Sequence, residues 1–187
     1  VSSVYHFVTE WRVAGSVDQV REVFSDAESL TRWWPAVYLG ARVVTEGAPD
    51  GVGRQVAVYT TGWLPYTLRW TMHVTEPLTD AGFALEATGD FVGAGRWRLA
   101  ADGPEVVATY DWRIRATKPL LSWLSWILKP AFAANHQWAM RRGEESLRLE
   151  LRRRRAVDDD QRRRVPPPPP ATFGWMVHWP GANSPLV

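Results

Sequence analysis

The sequence predicts an α+β domain in which a curved antiparallel sheet of about seven strands wraps one long C-terminal helix, with two short helices after the first strand. Three observations carry this prediction. Several consecutive short runs alternate apolar and polar residues at period two, the mark of half-buried strands. Short turn signals separate those runs, so neighbours in sequence pair as antiparallel neighbours in space. The one sustained run with a period near 3.6 follows the last strand.

The first run is "YHFVTEWRV", in which Tyr5, Phe7, Trp11 and Val13 share one face and His6, Glu10 and Arg12 the other. In "GSVDQVREVFSDAESLTRWWP", Ser16 is a helix N-cap with Gln19 three residues on, the spacing of a capping box. Val17, Val20 and Phe24 follow at helical spacing, Ser25-Asp26 breaks the helix, a second short helix covers 27–32, and Pro35 stops it. Strand-like runs follow over 36–46, 53–61, 66–77, 81–90, 91–102 and 104–118. The third alternates cleanly, with Leu68, Trp70, Met72 and Val74 against Arg69, Thr71 and His73. Gly89-Asp90 signals a tight hairpin between the fourth and fifth. In the last, Val106, Ala108, Tyr110, Trp112 and Ile114 oppose Val107, Thr109, Asp111, Arg113 and Arg115.

The long helix is expected from about Pro130, a residue tolerated in a helix's first turn, to Arg155. Its inner stripe is Phe132, His136, Ala139, Met140, Gly143, Leu147 and Leu151, with Arg141, Arg142, Glu144, Glu145 and Arg148 solvated. Residues 1–155 thus form one domain. Residues 156–187 read as a flexible tail: a charged linker, the polyproline run Pro166–Pro170, which favours an extended conformation, and a short apolar end.

Composition narrows the function. At 187 residues, 45% of them hydrophobic, the chain can bury a substantial core. Twelve tryptophans point to an aromatic core or an aromatic-lined cavity. With no cysteine there is no disulfide, thiolate metal site or cysteine nucleophile, which suits a reducing, cytoplasmic compartment. The N-terminal residues lack the basic and apolar regions of a signal peptide. The net charge of +2 is uneven: "RLELRRRRAVDDDQRRR" is strongly basic and the rest mildly acidic. Without a recognition motif that run predicts no nucleic-acid binding; cations at the end of a helix suit its negative dipole. Within "KPLLSWLSWILKPAF", the apolar run from Pro119 to Leu128 spans only about 15 Å as helix, half of a bilayer's roughly 30 Å hydrocarbon core.

The segments "FVTEWRVAGSVDQVREVFSDAESLTRWWP", "EATGDFVGAGRWRL", "ATYDWRIRATKPLL" and "NHQWAMRRGEESLRLEL" together resemble the START-like superfamily, more narrowly its polyketide cyclase/dehydrase and lipid-transport (SRPBCC) group. The resemblance covers roughly residues 5–152 and implies a helix-grip fold with a deep cavity between sheet and helix. The inward faces converge on one volume lined by Trp70, Met72, Trp97, Tyr110, Trp112, His136 and Met140, with Gly143 leaving space for a ligand or a close approach. Trp63 and Leu64 at a hairpin tip, with Trp123 and Trp126, would form the lip. The expected function is to carry or sequester a hydrophobic small molecule, with transient contact to a membrane surface. The enzymatic alternative is a polyketide cyclase or aromatase using His136, Tyr110 and Glu86. A third reading gives the Pro-rich tail a protein partner. No cofactor is expected. The four histidines, His6, His73, His136 and His178, have no metal-ligand spacing, so no metal is expected either.

Overall fold

The computed structural model describes residues 4–116 and 125–173, with side chains over 4–115 and 130–173. Strand β1 (Val4–Ala14) is followed by helix α1 (Val17–Ser25), a 3-10 turn (Ala27–Ser29) and the single-turn helix α2 (Leu30–Trp33). Six strands follow: β2 (Tyr38–Thr45), β3 (Gln55–Thr61), β4 (Thr67–Thr79), β5 (Gly82–Gly89), β6 (Phe91–Asp102) and β7 (Glu105–Ala116). Then come the long helix α3 (Ser125–Arg155) and the short α4 (Asp159–Arg164). The seven strands form one antiparallel sheet in the order β1-β7-β6-β5-β4-β3-β2, so β1 crosses to pair with the last strand.

Local chemistry sets these boundaries. Ser16 and Gln19 close a reciprocal capping box on α1. Asp26 ends that helix, and its carboxylate accepts from the Ser29 N–H (3.2 Å), starting the next turn. The second short helix expected over 27–32 is therefore a 3-10 turn running into α2. At the β5–β6 hairpin, Asp90 accepts from the Arg69 N–H (2.8 Å) and donates its own N–H to the Arg69 carbonyl (2.9 Å), tying the turn to β4.

Helix α3 begins at Ser125, five residues before the sequence placed its start, and Pro130 lies inside it. The proline was read as a first-turn residue, but the backbone continues helical on its N-terminal side, with one backbone hydrogen bond lost where the N–H is missing. Arg148, 53% exposed as the solvated face predicts, and the half-buried Glu144 also satisfy the free edge of the sheet. The Arg12 N–H donates to Glu144 Oε1 (2.9 Å), and Arg148 Nη2 donates to the Arg12 carbonyl (2.9 Å). An edge strand otherwise presents unpaired backbone groups.

The basic end of α3 is also more than a solvated terminus. Glu150 is 1% exposed and accepts from Arg32 Nη1 (3.0 and 3.2 Å), Arg153 Nη1 (3.2 Å) and Arg154 Nε (2.9 Å), joining α2 to α3. Beyond it, Asp158 caps α4 through the Gln161 N–H (2.7 Å), and Arg153 Nη2 donates to the Pro166 carbonyl (3.0 Å). Among the described residues no helix is long and apolar enough to cross a membrane.

Candidate functional site

The concave face of the sheet, α1, α2 and the first half of α3 enclose an aromatic cavity of about 270 Å³. Its sheet wall follows from register. Trp97 on β6 sits opposite Tyr110 on β7, and their rings stack at 4.4 Å and 17°. Tyr110 stacks in turn on Trp112, two residues along the same face, at 5.4 Å and 21°. Trp112 meets Trp70 of β4 at 6.1 Å and Phe91 edge-on at 5.8 Å. Offset and edge-on arrangements are those aromatic quadrupoles favour. The Trp70 indole N–H donates to Thr60 Oγ1 (3.2 Å), which fixes that ring.

Seven of the eight residues expected to form the binding wall, Trp70, Met72, Trp97, Tyr110, Trp112, His136 and Met140, do line this cavity. Gly143 does not. A Cβ built on Gly143 would lie 2.4 Å from Trp34 Cζ2 and 2.6 Å from Trp11 Cζ2. The missing side chain admits two indoles against the helix, so the space once assigned to a ligand is occupied. Glu86 is also outside the cavity. It is exposed on the outer face of β5, opposite His73 of β4 and Ala94 of β6, because its neighbours Leu85 and Ala87 take the buried positions. It therefore cannot act on anything held inside.

The sequence reading missed the helical half of the wall, Phe24, Leu30, Trp33 and Trp34, and Tyr38 at the start of β2. The visible signal was the "RWWP" run, two adjacent tryptophans at the end of a helix, which periodicity alone does not aim inward.

His136 lies in the wall with its ring stacked on Phe7 (4.1 Å, 18°). Its Nε2 is buried and has no hydrogen-bond partner among the described residues. Burial pushes the imidazole down to about 4, so at neutral pH the ring is uncharged. Burial, and to a lesser degree Tyr38, pushes the Tyr110 phenol well above its ordinary value, so it stays protonated. The cavity thus offers neutral polar groups on an apolar wall, the composition usual for small-molecule sites. A folded-state value below the unfolded one, about 6.5, means that stability from His136 is present above pH 6.5 and lost as pH falls toward 4. His136→Leu is expected to flatten that part of a stability-versus-pH curve measured by urea denaturation; an unchanged slope would show that the ring is hydrated.

Each end of the cavity is tied by a polar side chain. At one end Arg54 reaches from the β2–β3 loop to α1, donating from Nη1 to the Ser25 carbonyl (3.3 Å) and from Nε to the Glu46 carbonyl (3.2 Å). At the other, Asn135 Oδ1 accepts from the Trp63 and Leu64 N–H groups (2.9 and 3.2 Å), and its Nδ2 donates to the Tyr66 hydroxyl (3.3 Å). Gly62 permits this approach: a Cβ there would stand 2.2 Å from Asn135 Oδ1. The tip carrying Trp63 and Leu64 is thus held on α3, with Trp63 38% exposed, and neither residue contributes to the cavity wall. Trp123 and the side chain of Trp126 lie outside the described residues. Among the described residues no cluster of histidines and carboxylates could hold a metal.

No known family profile matches the sequence, and no curated protein is significantly similar to it. The likeness is structural. An aromatase/cyclase from a Streptomyces species superposes with a TM-score of 0.63 at 18% identity, over 83% of this chain and 98% of that one. A Thermus thermophilus protein gives a TM-score of 0.60 at 16% identity, over 76% and 97% of the two chains. A START superfamily protein from Mycobacterium smegmatis gives 0.55 at 16% identity, over 72% and 93%. The seven-stranded sheet around a long C-terminal helix, with short helices after the first strand, is the START-like helix-grip fold.

Proposed function

We propose that this protein binds a hydrophobic small molecule in its central cavity, as a carrier or sequestering module. One observation carries the reading: a cavity of about 270 Å³ walled by stacked aromatic rings. Affinity would come from burial, at about 0.8 kcal/mol for each CH₂ removed from water. The test is titration with 2-ethylnaphthalene, followed by tryptophan fluorescence. The protein should bind it, and Ala139→Phe, which adds a ring to the cavity wall, should remain folded and bind at least tenfold more weakly. No uptake by the wild-type protein would refute the reading.

A second reading, a cyclase-like enzyme, is favoured by an uncharged His136, whose Nε2 has no partner among the described residues, and a protonated Tyr110 in the wall of the same cavity. An imidazole in that state can take a proton from a carbon next to a bound carbonyl. Exchange of the methyl protons of 2-acetylnaphthalene for deuterium, followed by NMR in D₂O, should then be accelerated by the protein. His136→Ala should abolish the acceleration while retaining binding. Equal rates with and without the protein would leave the carrier reading.

A further inference from the structure

The five consecutive prolines Pro166–Pro170 follow α4 and take no part in the cavity wall. Proline fixes φ and lacks an N–H, so such a run adopts the extended polyproline II helix, with about three residues per turn. Val165, which ends α4, is already extended at φ −75° and ψ 120°. The run is fixed at its start. The Val165 N–H donates to the Arg162 carbonyl (3.3 Å). The Pro166 carbonyl accepts from Arg153 Nη2 (3.0 Å), while Arg153 Nη1 is held by the buried Glu150 (3.2 Å). The helix divides the prolines among three faces. Pro168 occupies one and is half-buried; Pro166 and Pro169 share the second, the former exposed and the latter half-buried. The third, Pro167 with Pro170, is exposed at both positions. Arg164 stands three residues before Pro167, at the last position of α4, with its side chain 77% exposed. Its ion pair with the exposed Asp160 contributes little to stability, so Arg164 can exchange it for another carboxylate.

We infer that Arg164, Pro167 and Pro170 form a docking surface for a protein module that reads polyproline II helices. Its groove presents aromatic rings to the two prolines and a carboxylate at the rim to the arginine. Such grooves grip proline rings along one face of a helix whose form is set before binding, so little entropy is lost. The Arg153 anchor lowers that loss further by holding the run on α3. The chemistry of the segment disfavours other occupants. A proline run has no N–H groups, so it cannot supply the donors of a sheet edge. Residues 158–170 carry three aspartates and three arginines, so an anionic membrane gains no net attraction from them. A partner that pairs one arginine at a set distance from two prolines fits both the charge and the spacing. The surface lies outside the cavity, and the inference does not rest on the ligand-binding reading.

The test uses the full-length protein and, as probe, an isotope-labelled SH3 domain. The domain is one selected for peptides with an arginine three residues before the first of two prolines that are themselves three apart. Adding the protein should shift the NMR resonances of the probe's aromatic groove, and an unlabelled peptide ligand of that domain should reverse the shift. Arg164→Ala should weaken the complex about tenfold, the loss of one charged hydrogen bond, and Pro167→Ala with Pro170→Ala should weaken it about as much. Pro168→Ala, on the half-buried face, should change the affinity by less than about twofold. Each variant is checked for folding by near-ultraviolet circular dichroism, and each should bind 2-ethylnaphthalene as the wild type does. Groove resonances left unmoved by the wild-type protein would overturn the inference. So would a Pro168→Ala protein that binds as weakly as the Pro167 and Pro170 variant, since the face assigned to the partner would then be wrong. Either result leaves the carrier reading standing.

Discussion

Gly143→Leu is expected to leave no folded protein, and Gly143→Ala to lower stability by about 1–2 kcal/mol. In an exposed helix the same glycine-to-alanine change would stabilise by about 1 kcal/mol, since glycine loses more backbone entropy. Here the added methyl would have to enter space held by Trp34 Cζ2 at 2.4 Å and Trp11 Cζ2 at 2.6 Å. Both rings are buried, at 6% and 1% exposure, and Trp11 is packed in turn on Trp97 at 4.8 Å, so neither can swing aside into solvent. Overpacking of this kind costs about 1–3 kcal/mol for small additions and more for a leucine. Urea denaturation of the alanine variant gives the sign: a lower midpoint supports the packed interface, whereas a higher one would mean that the two indoles do not rest on the helix.

That interface also marks where the sequence stopped being informative. Alternation placed Tyr110 and Trp112 inward and Arg113 outward, and the structure agrees, because a strand's side chains have only two directions. The inner stripe of α3 was equally legible at period 3.6. Periodicity gives direction but not depth. Gly143 and His136 lie on one stripe, yet His136 faces the cavity and Gly143 faces two indoles. Which partner stands opposite depends on α2, a single turn whose placement follows from the Asp26 cap and from Pro35 and not from its own pattern. Glu86 failed for a related reason. As a carboxylate near a hairpin it was a chemical candidate, but its strand parity, set by Leu85 and Ala87, already pointed outward. Parity outweighs residue type when a site is assigned to a sheet face.

Glu150 was the least legible residue, since in "RLELRRRR" it reads as one more charge on a solvated helix end. The expected result is that Arg32→Met with Arg154→Met costs about 3–5 kcal/mol, more than Glu150→Ala. The reason is an asymmetry of exposure. With Glu150 removed, Arg32, Arg153 and Arg154, whose side chains are 54%, 22% and 26% exposed, can turn to water. With two arginines removed, the carboxylate stays 1% exposed and keeps only Arg153. The pH dependence identifies the mechanism. Burial alone would raise the Glu150 carboxyl, but hydrogen bonds and charge from Arg154 and Arg32 outweigh it and hold the group below its ordinary value of 4.5. Its contribution is therefore fully present above about pH 4.5 and lost as pH falls through the lower folded-state value. Without the two arginines burial dominates, the folded-state value rises above the unfolded one, and protonation relieves the cost. The gap in stability between wild type and the double variant should then narrow as pH is lowered from 7 to 4. A gap that stays constant over that range would show that the arginines act by packing α2 on α3, not by compensating a buried charge.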